Sequence, residues 1–291
     1  MKILVPIDAS SHSKEAVQFV LGNPSFAKAT VEFLTVINAI PTPITRYLSS
    51  DQIAAFVDEE SRHVWETVEL ADVEIPHATM TTLIGDPVEV ITNRVVETLP
   101  DMIIMGARGM SNVRSWLLGS VSRGVLSRTS TPILLLRGTP PEAVKPMKVG
   151  IAVDGSEYGA RAAQFIVDHP EIFGTVELHL IYVTDNISNA VVPSMVATNR
   201  TSVEENLKIY AQPWQEHAAA TEALFKDNGI PYIRACLAGS PGEEIAGYAE
   251  MQNLDLLVMG SHGYGNFSSL FLGSTTLRVG ALCEKPLLII R

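Results

Sequence analysis

Residues 102–137 read MIIMGARGMSNVRSWLLGSVSRGVLSRTSTPILLLR, and residues 256–291 read LLVMGSHGYGNFSSLFLGSTTLRVGALCEKPLLIIR. In each stretch a short apolar run precedes the spacing Gly-x2-Gly-x9-Gly-Ser, and a second apolar run ends on arginine. The shared positions keep a constant separation of 154 residues. Because similarity at a fixed distance is typical of a duplicated unit, the chain is predicted to contain two copies of one fold.

The duplication reaches the beginning of each copy. KILVPIDAS begins at Lys2 and KVGIAVDGS begins at Lys148, which puts Asp8 and Asp154 at equivalent positions 146 residues apart. The second copy is therefore longer by eight residues, and we expect the extra residues within the polar stretch 184–200. The predicted domains are residues 1–138 and 148–291, with a linker at 139–147, since the prolines of RGTPPEAVKP disfavour regular pairing.

Each copy alternates short apolar runs with amphipathic stretches, a pattern that favours strands joined by crossover helices in an α/β fold. Runs such as MIIM and LLVM have almost no polar positions, as expected of parallel strands covered on both faces. Helices are predicted to begin after Ser10 and Ser156, and an amphipathic helix is predicted at 52–73. The predicted strands are Lys2–Ile7, Val31–Ile37, Met80–Ile84, Met102–Met105 and Ile133–Leu136, then Lys148–Val153, Val176–Val183, Tyr232–Leu237, Leu256–Met259 and Leu287–Ile290.

The composition disfavours binding to nucleic acid and insertion into membranes. The formal net charge is -11 without any Lys/Arg run, which disfavours nucleic acid, because polyanion binding needs clustered basic groups. No stretch approaches the roughly 18 apolar residues of a membrane span, so membrane insertion is not expected. Cys236 and Cys283 form no C-x-x-C spacing and are predicted to be buried, reduced thiols. The chain is predicted to be a soluble cytoplasmic protein.

The glycine loops carry the chemistry. Glycines at the carboxyl end of a parallel strand let the backbone turn tightly and approach a ligand. A helix that opens on Gly-Ser offers free N–H groups and the positive end of its dipole, which favour a phosphate, and the serine hydroxyl can donate a further hydrogen bond. The candidate binding residues are Gly106, Gly109, Gly119 and Ser120 in the first copy, and Gly260, Gly263, Gly273 and Ser274 in the second.

Asp8 and Asp154 each end a first strand, so they are expected to share a crevice with the glycine loop of their own copy.

A P-loop is excluded because no G-x-x-x-x-G-K-[ST] exists, and the absence of G-x-G-x-x-G after the first strand disfavours a dinucleotide site. The seven histidines form no H-x-x-x-H pair, so neither a metal site nor a catalytic residue is assigned. His262 lies within the second loop, either touching phosphate or exposed to solvent.

These motifs resemble the universal stress protein family in its tandem, ATP-binding form, over nearly the whole chain. The resemblance implies two doubly wound domains of the adenine nucleotide alpha hydrolase-like kind, each a five-stranded parallel sheet with helices on both faces. It implies that Asp8 and Asp154 contact the nucleoside, and that Val36 and Val183 recognise adenine through their backbone. The glycine loop would then hold the ribose and the phosphates of ATP, accompanied by Mg2+.

Two departures distinguish the copies: Arg108 is replaced by His262, and the insertion after Val183 could cover the second site. The resemblance also implies that the copies form an internal pseudo-dimer through the fifth strands, while further homodimerisation is left open. The function that we expect is an ATP-binding, nucleotide-responsive stress regulator. A nucleotide-independent scaffold or chaperone-like protein, and a slow Mg-dependent ATPase, remain as alternatives.

Overall fold

In the first unit, five strands form a parallel sheet in the order β3-β2-β1-β4-β5. A computed structural model describes residues 1–71, 75–107, 119–137, 147–173, 175–184, 217–263 and 272–291. The chain divides into two units, Met1–Ala143 and Val144–Arg291. The strands are β1 Lys2–Ile7, β2 Thr30–Ile37, β3 Ala78–Ile84, β4 Met102–Gly106 and β5 Ile133–Leu136, and the helices are α1 Ser11–Gly22, α2 Thr42–Thr45, α3 Ser50–Thr67, α4 Pro87–Thr98 and α5 Ser120–Arg128.

The second unit repeats this plan, with the parallel order β8-β7-β6-β9-β10. Its strands and helices are β6 Met147–Ala152, α6 Glu157–Asp168, α7 Pro170–Phe173, β7 Val176–Thr184, α8 Ala219–Asp227, β8 Tyr232–Ala238, α9 Pro241–Met251, β9 Leu256–Gly260, α10 Ser274–Leu282 and β10 Leu287–Ile290. The described strands match the sequence-based expectation to within two residues at each end. Some predicted features lie outside the described residues: Arg108, Gly109, most of the predicted linker and nearly all of the predicted insertion. The domain boundaries 1–138 and 148–291 stay predictions.

The strand order makes each unit doubly wound. The chain runs outward from β1 to β2 and β3, then crosses back to place β4 and β5 on the other side of β1. Because parallel crossovers are right-handed, this reversal puts the helices before and after it on opposite faces. Accordingly α1 packs on β1 and β4, while α4 packs against α5. The direction changes between β1 and β4, and in the second unit between β6 and β9.

Helix starts follow the sequence closely. The Ser10 and Ser156 hydroxyls accept hydrogen bonds of 3.2 Å from the backbone N–H of Ser13 and Gly159, so both predicted N-caps are confirmed. The helix predicted at 52–73 is shorter, and begins earlier. A capping box between Ser49 and Gln52 starts it at Ser50, and it ends at Thr67, where the backbone turns left-handed at Glu69.

Burial follows position in the sheet. Every residue of β4 is buried, as the apolar runs predicted, whereas β3 and β8 leave several side chains exposed. Cys236 lies on β8 and is exposed, so the expectation that both cysteines are buried is wrong; Cys283 is buried. An apolar neighbourhood in the sequence does not bury a side chain on the outward face of a terminal strand. None of the helices in the described ranges has the length and apolar character that crossing a membrane requires.

Candidate functional site

The two aspartates lie where the winding direction of each sheet reverses. β1 pairs with β4 in the register Ile3–Met102 and Leu4–Ile103, so Asp8 emerges from the sheet level with Ala107. In the second unit β6 pairs with β9 in the register Ala152–Met259, which places Asp154 level with Ser261. Crevices at such a reversal, outside the carboxyl ends of parallel strands, are where doubly wound sheets bind ligands.

Asp8 is held by the turn that follows it. The hydroxyls of Ser10 and Ser13 both donate to Asp8 Oδ1, the latter at 2.6 Å. The Asp8 backbone N–H in turn donates to Ser13 Oγ at 2.9 Å. Two hydrogen bonds therefore orient the carboxylate before any ligand arrives, and the third fixes Ser13 against the Asp8 backbone.

Asp154 is oriented differently. Its Oδ1 accepts the backbone N–H of Ser156 at 3.0 Å, and the residue equivalent to Ser13 is Gly159, which has no hydroxyl. Asp154 also lies against the glycine loop of its own unit, because a Cβ added to Gly263 would stand 2.5 Å from Asp154 Oδ2. The predicted meeting of aspartate and glycine loop is thus visible in the second unit.

The ends of the two glycine loops close in the same way. The backbone N–H of Gly119 donates to the Ala107 carbonyl at 2.9 Å, and that of Gly273 donates to the Ser261 carbonyl at 2.8 Å. Two residues into the following helix, Ser122 and Thr276 donate their hydroxyls to the carbonyls of Gly106 and Gly260, at 3.1 and 3.0 Å respectively. These bonds fix the start of each helix against the end of the fourth strand.

The helices that follow the loops begin on glycine. Gly119 and Gly273 are the N-caps of α5 and α10, and neither can offer a side-chain acceptor to the first-turn N–H groups. Ser120 and Ser274, the first helical residues, are exposed. A Cβ on Gly273 would approach the His262 Cα to 3.2 Å, so a side chain there would have to displace the loop backbone by a few tenths of an ångström. First-turn N–H groups without a side-chain cap and exposed serine residues suit an anion with several acceptor oxygens.

Val36 and Val183 lie near the ends of β2 and β7. The Thr30 N–H donates to the Met1 carbonyl, and because backbone groups alternate along a strand, Val36 also directs its carbonyl towards the β1 side. The β1–β2 register ends at Ile7–Thr35, so this carbonyl faces the place where the neighbouring strand has turned away. The Ile181 carbonyl accepts from the Val153 N–H at 2.9 Å, which gives Val183 the same direction.

His262 is buried, with 9% of its surface exposed, so the alternative of a solvent-exposed loop residue is wrong. Its Nδ1 lies 2.9 Å from Ser261 Oγ, and its ring centroid lies 5.1 Å from that of Tyr158. Burial lowers the pKa of the imidazole, and the positive charge of Arg291 lowers it further. Within the part of the chain that the structure describes, Nε2 is a buried nitrogen without a hydrogen-bond partner.

His217 is a residue of this region that sequence reasoning missed. It lies against Gly155, the residue after Asp154, whose φ is +80°. Its ring stacks on Tyr182 of β7 with centroids 5.4 Å apart and planes at 19°. The one available signal was Gly155 itself, which stands where the first copy has Ala9.

Several known proteins with similar sequences are universal stress proteins. The model of the universal stress protein family matches residues 1–137 and 146–291. A universal stress protein of Mycolicibacterium smegmatis is 25% identical over 298 residues, covering 99% of this chain and 96% of its own. The crystal structure of a universal stress protein from Archaeoglobus fulgidus is 25% identical with a TM-score of 0.66, covering 100% of this chain and 98% of its own. A functionally unknown protein of Pseudomonas aeruginosa shares the fold at 15% identity and a TM-score of 0.59, covering 99% of this chain and 92% of its own.

Proposed function

The chain belongs to the universal stress protein family, and on this premise we propose that it binds ATP and acts as a nucleotide-responsive stress regulator. The observation that carries the proposal is the repeated geometry at the reversal of each sheet. There an aspartate emerges beside a glycine-capped helix whose first-turn N–H groups have no side-chain cap and whose first serine is exposed. This combination offers one acceptor for hydroxyl groups and several donors for phosphate oxygens.

Each part of ATP has a matching group. The carboxylate of Asp8, pre-oriented by two serines, suits the hydroxyl groups of a ribose. The carbonyl of Val36 suits the exocyclic amine of adenine, since a backbone acceptor can distinguish an amine from a carbonyl. Gly106, Gly109, Gly119 and Ser120 are proposed to hold the phosphates. The equivalent residues of the second unit are Asp154, Val183, Gly260, Gly263, Gly273 and Ser274, and the number of sites that fill is a separate question.

The fit is supported by the space that glycine leaves. A Cβ on Gly263 would collide with the Asp154 carboxylate, and a Cβ on Gly260 would stand 2.7 Å from the Tyr158 backbone. Only glycine therefore lets strand, loop and helix approach this closely. A divalent ion such as Mg2+ would travel with the phosphates and offset part of their charge, which is useful in a chain of net charge -11.

Catalysis is not part of the proposal. Asp8 is arranged as an acceptor of hydroxyl groups, which is a binding role, and no catalytic residue is assigned. A slow Mg-dependent ATPase and a nucleotide-independent scaffold remain the competing functions. The cytoplasmic location and the internal pseudo-dimer through Ile133–Leu136 and Leu287–Ile290 stay predictions, and further homodimerisation stays open.

The test is mass spectrometry of nucleotide released from freshly purified protein by acid, followed by calorimetric titration with Mg-ATP. Released ATP, or saturable heat on titration, is the expected result. A blank in both measurements would reject ATP binding in favour of the scaffold. Release of phosphate from Mg-ATP, measured over hours, would favour the ATPase, provided that Gly119→Val abolishes it.

A further inference from the structure

His217 packs against the turn that follows Asp154. A Cβ added to Gly155 would stand 2.9 Å from His217 Nδ1 and 3.1 Å from its Cα, so both the ring and the backbone of His217 press on this turn. Real Cβ atoms do not approach other atoms so closely, and the left-handed φ of Gly155 is also one that L side chains rarely adopt. The contact therefore exists only because residue 155 is glycine.

The same imidazole contacts the end of the neighbouring strand. It stacks on Tyr182, whose side chain is 8% exposed and which directly precedes Val183. His217 thus touches the turn after β6 and the last part of β7 together. These are the two strand ends between which the nucleoside of an ATP molecule would lie under the proposed function, next to Asp154 and the Val183 carbonyl.

The position on β2 that is equivalent to Tyr182 carries no aromatic ring. In the first unit Ile7 pairs with Thr35. The register of β6 and β7, continued by one residue, pairs the equivalent Val153 with Tyr182, so Thr35 and Tyr182 occupy equivalent positions. Ala9 stands where the second unit has Gly155 and does not share its left-handed φ.

We propose that His217 restricts ATP binding to the first domain, by filling the nucleoside side of the second crevice with its imidazole. The inference rests on the proposed function and adds its stoichiometry, one ATP per chain. An aromatic base needs van der Waals separations of about 3.5–4 Å from the atoms at the strand ends, and the imidazole of His217 lies in that space beside Gly155 and Tyr182. Without the ring, adenine gains both the space and the face of Tyr182 on which to stack.

The experiment is calorimetric titration of the nucleotide-free full chain with Mg-ATP. The wild type is expected to bind one equivalent, and Gly119→Val to bind none. Adding His217→Ala to Gly119→Val is expected to restore one equivalent, while adding His63→Ala, an exposed histidine of α3, restores nothing. His217→Ser is made in parallel, since serine is favourable near a helix start, and circular dichroism checks that each variant is folded.

Crosslinking of the wild type with 8-azido-ATP gives a readout that needs no variant, with labelled peptides expected from the first domain alone. Two equivalents in the wild type, labelled peptides from the second domain, or folded His217 variants that restore nothing would each overturn the inference while leaving ATP binding in place. Absence of binding in the wild type and every variant would instead reject the proposed function, and the inference with it.

Discussion

The hydroxyl of Ser13 donates a 2.6 Å hydrogen bond to the carboxylate of Asp8, and the equivalent position in the second unit is Gly159. The first aspartate is thus held by a side chain that the second lacks. A carboxylate fixed before binding does not have to be ordered by the ligand, so this difference favours the first domain as the nucleotide site.

Ser13→Ala should weaken ATP binding by at least about fivefold, because it removes the hydroxyl that donates to the Asp8 carboxylate, a bond of roughly 1 kcal/mol net, and also the acceptor of the Asp8 backbone N–H. The change leaves the Ser10 bond to Asp8 in place, so binding should weaken and not vanish. Calorimetric titration measures the affinity. Ser127→Ala, which removes a hydroxyl bonded to the Gly124 carbonyl within α5, is the matched control and should bind as the wild type does. Equal affinities for Ser13→Ala and the wild type would contradict a positioning role.

Gly119→Val should abolish ATP binding in the first domain and leave the fold intact. The backbone of Gly119, with φ -55° and ψ 154°, is one that valine adopts readily, and its N–H bond to Ala107 would survive. Binding should be lost because a branched side chain would stand where phosphate must approach the helix start. Circular dichroism and titration with Mg-ATP check the two halves of the prediction. Gly22→Val, where an added Cβ meets open space, is the control, and undiminished binding by Gly119→Val would reject the site.

Gly155→Ala should destabilise the second domain by roughly 1–3 kcal/mol more than Gly229→Ala. Both glycines have left-handed φ values, +80° and +66°, so the backbone penalty is shared. A Cβ at position 155 would also meet His217, whereas one at position 229 meets nothing within 4 Å. Urea denaturation of the full chain, followed by tyrosine and tryptophan fluorescence, measures the difference. Equal costs would show that the His217 contact is not tight.

Acidification should destabilise the second domain through His262. Because burial lowers the pKa of this imidazole, the unfolded chain binds the proton more tightly than the folded chain does. The contribution of neutral His262 to the free energy of unfolding is therefore fully present above the ordinary histidine pKa of about 6.5. It falls as the pH drops below that pKa, by at most about 1.4 kcal/mol per pH unit. His262→Asn should reduce this dependence between about pH 7.5 and pH 5.5, as measured by denaturant unfolding. The exposed His63→Asn is the control, and an unchanged slope in His262→Asn would assign the effect elsewhere.

The sequence predicted much of the fold because its strands carry strong local signals. Buried parallel strands such as Met102–Gly106 are nearly continuous apolar runs, and Ser10 and Ser156 stand where N-caps belong. The extent of α3 was less predictable, since the left-handed turn at Glu69 ends it within an amphipathic pattern that continues. Burial of Cys236 was predicted wrongly, because the position of β8 at one end of its sheet depends on the strand order and not on neighbouring residues.

Some features of the candidate site likewise followed from the sequence, and others needed the structure. The sequence by itself determined the duplication, the α/β class, and the equivalence of Asp8 with Asp154 and of Gly119 with Gly273, because these follow from spacing along the chain. Only the tertiary structure decided that His262 is buried and that His217 lies against Gly155. The physical reason is that these contacts join residues from different strands and helices, and a contact of that kind leaves no periodic mark in the sequence.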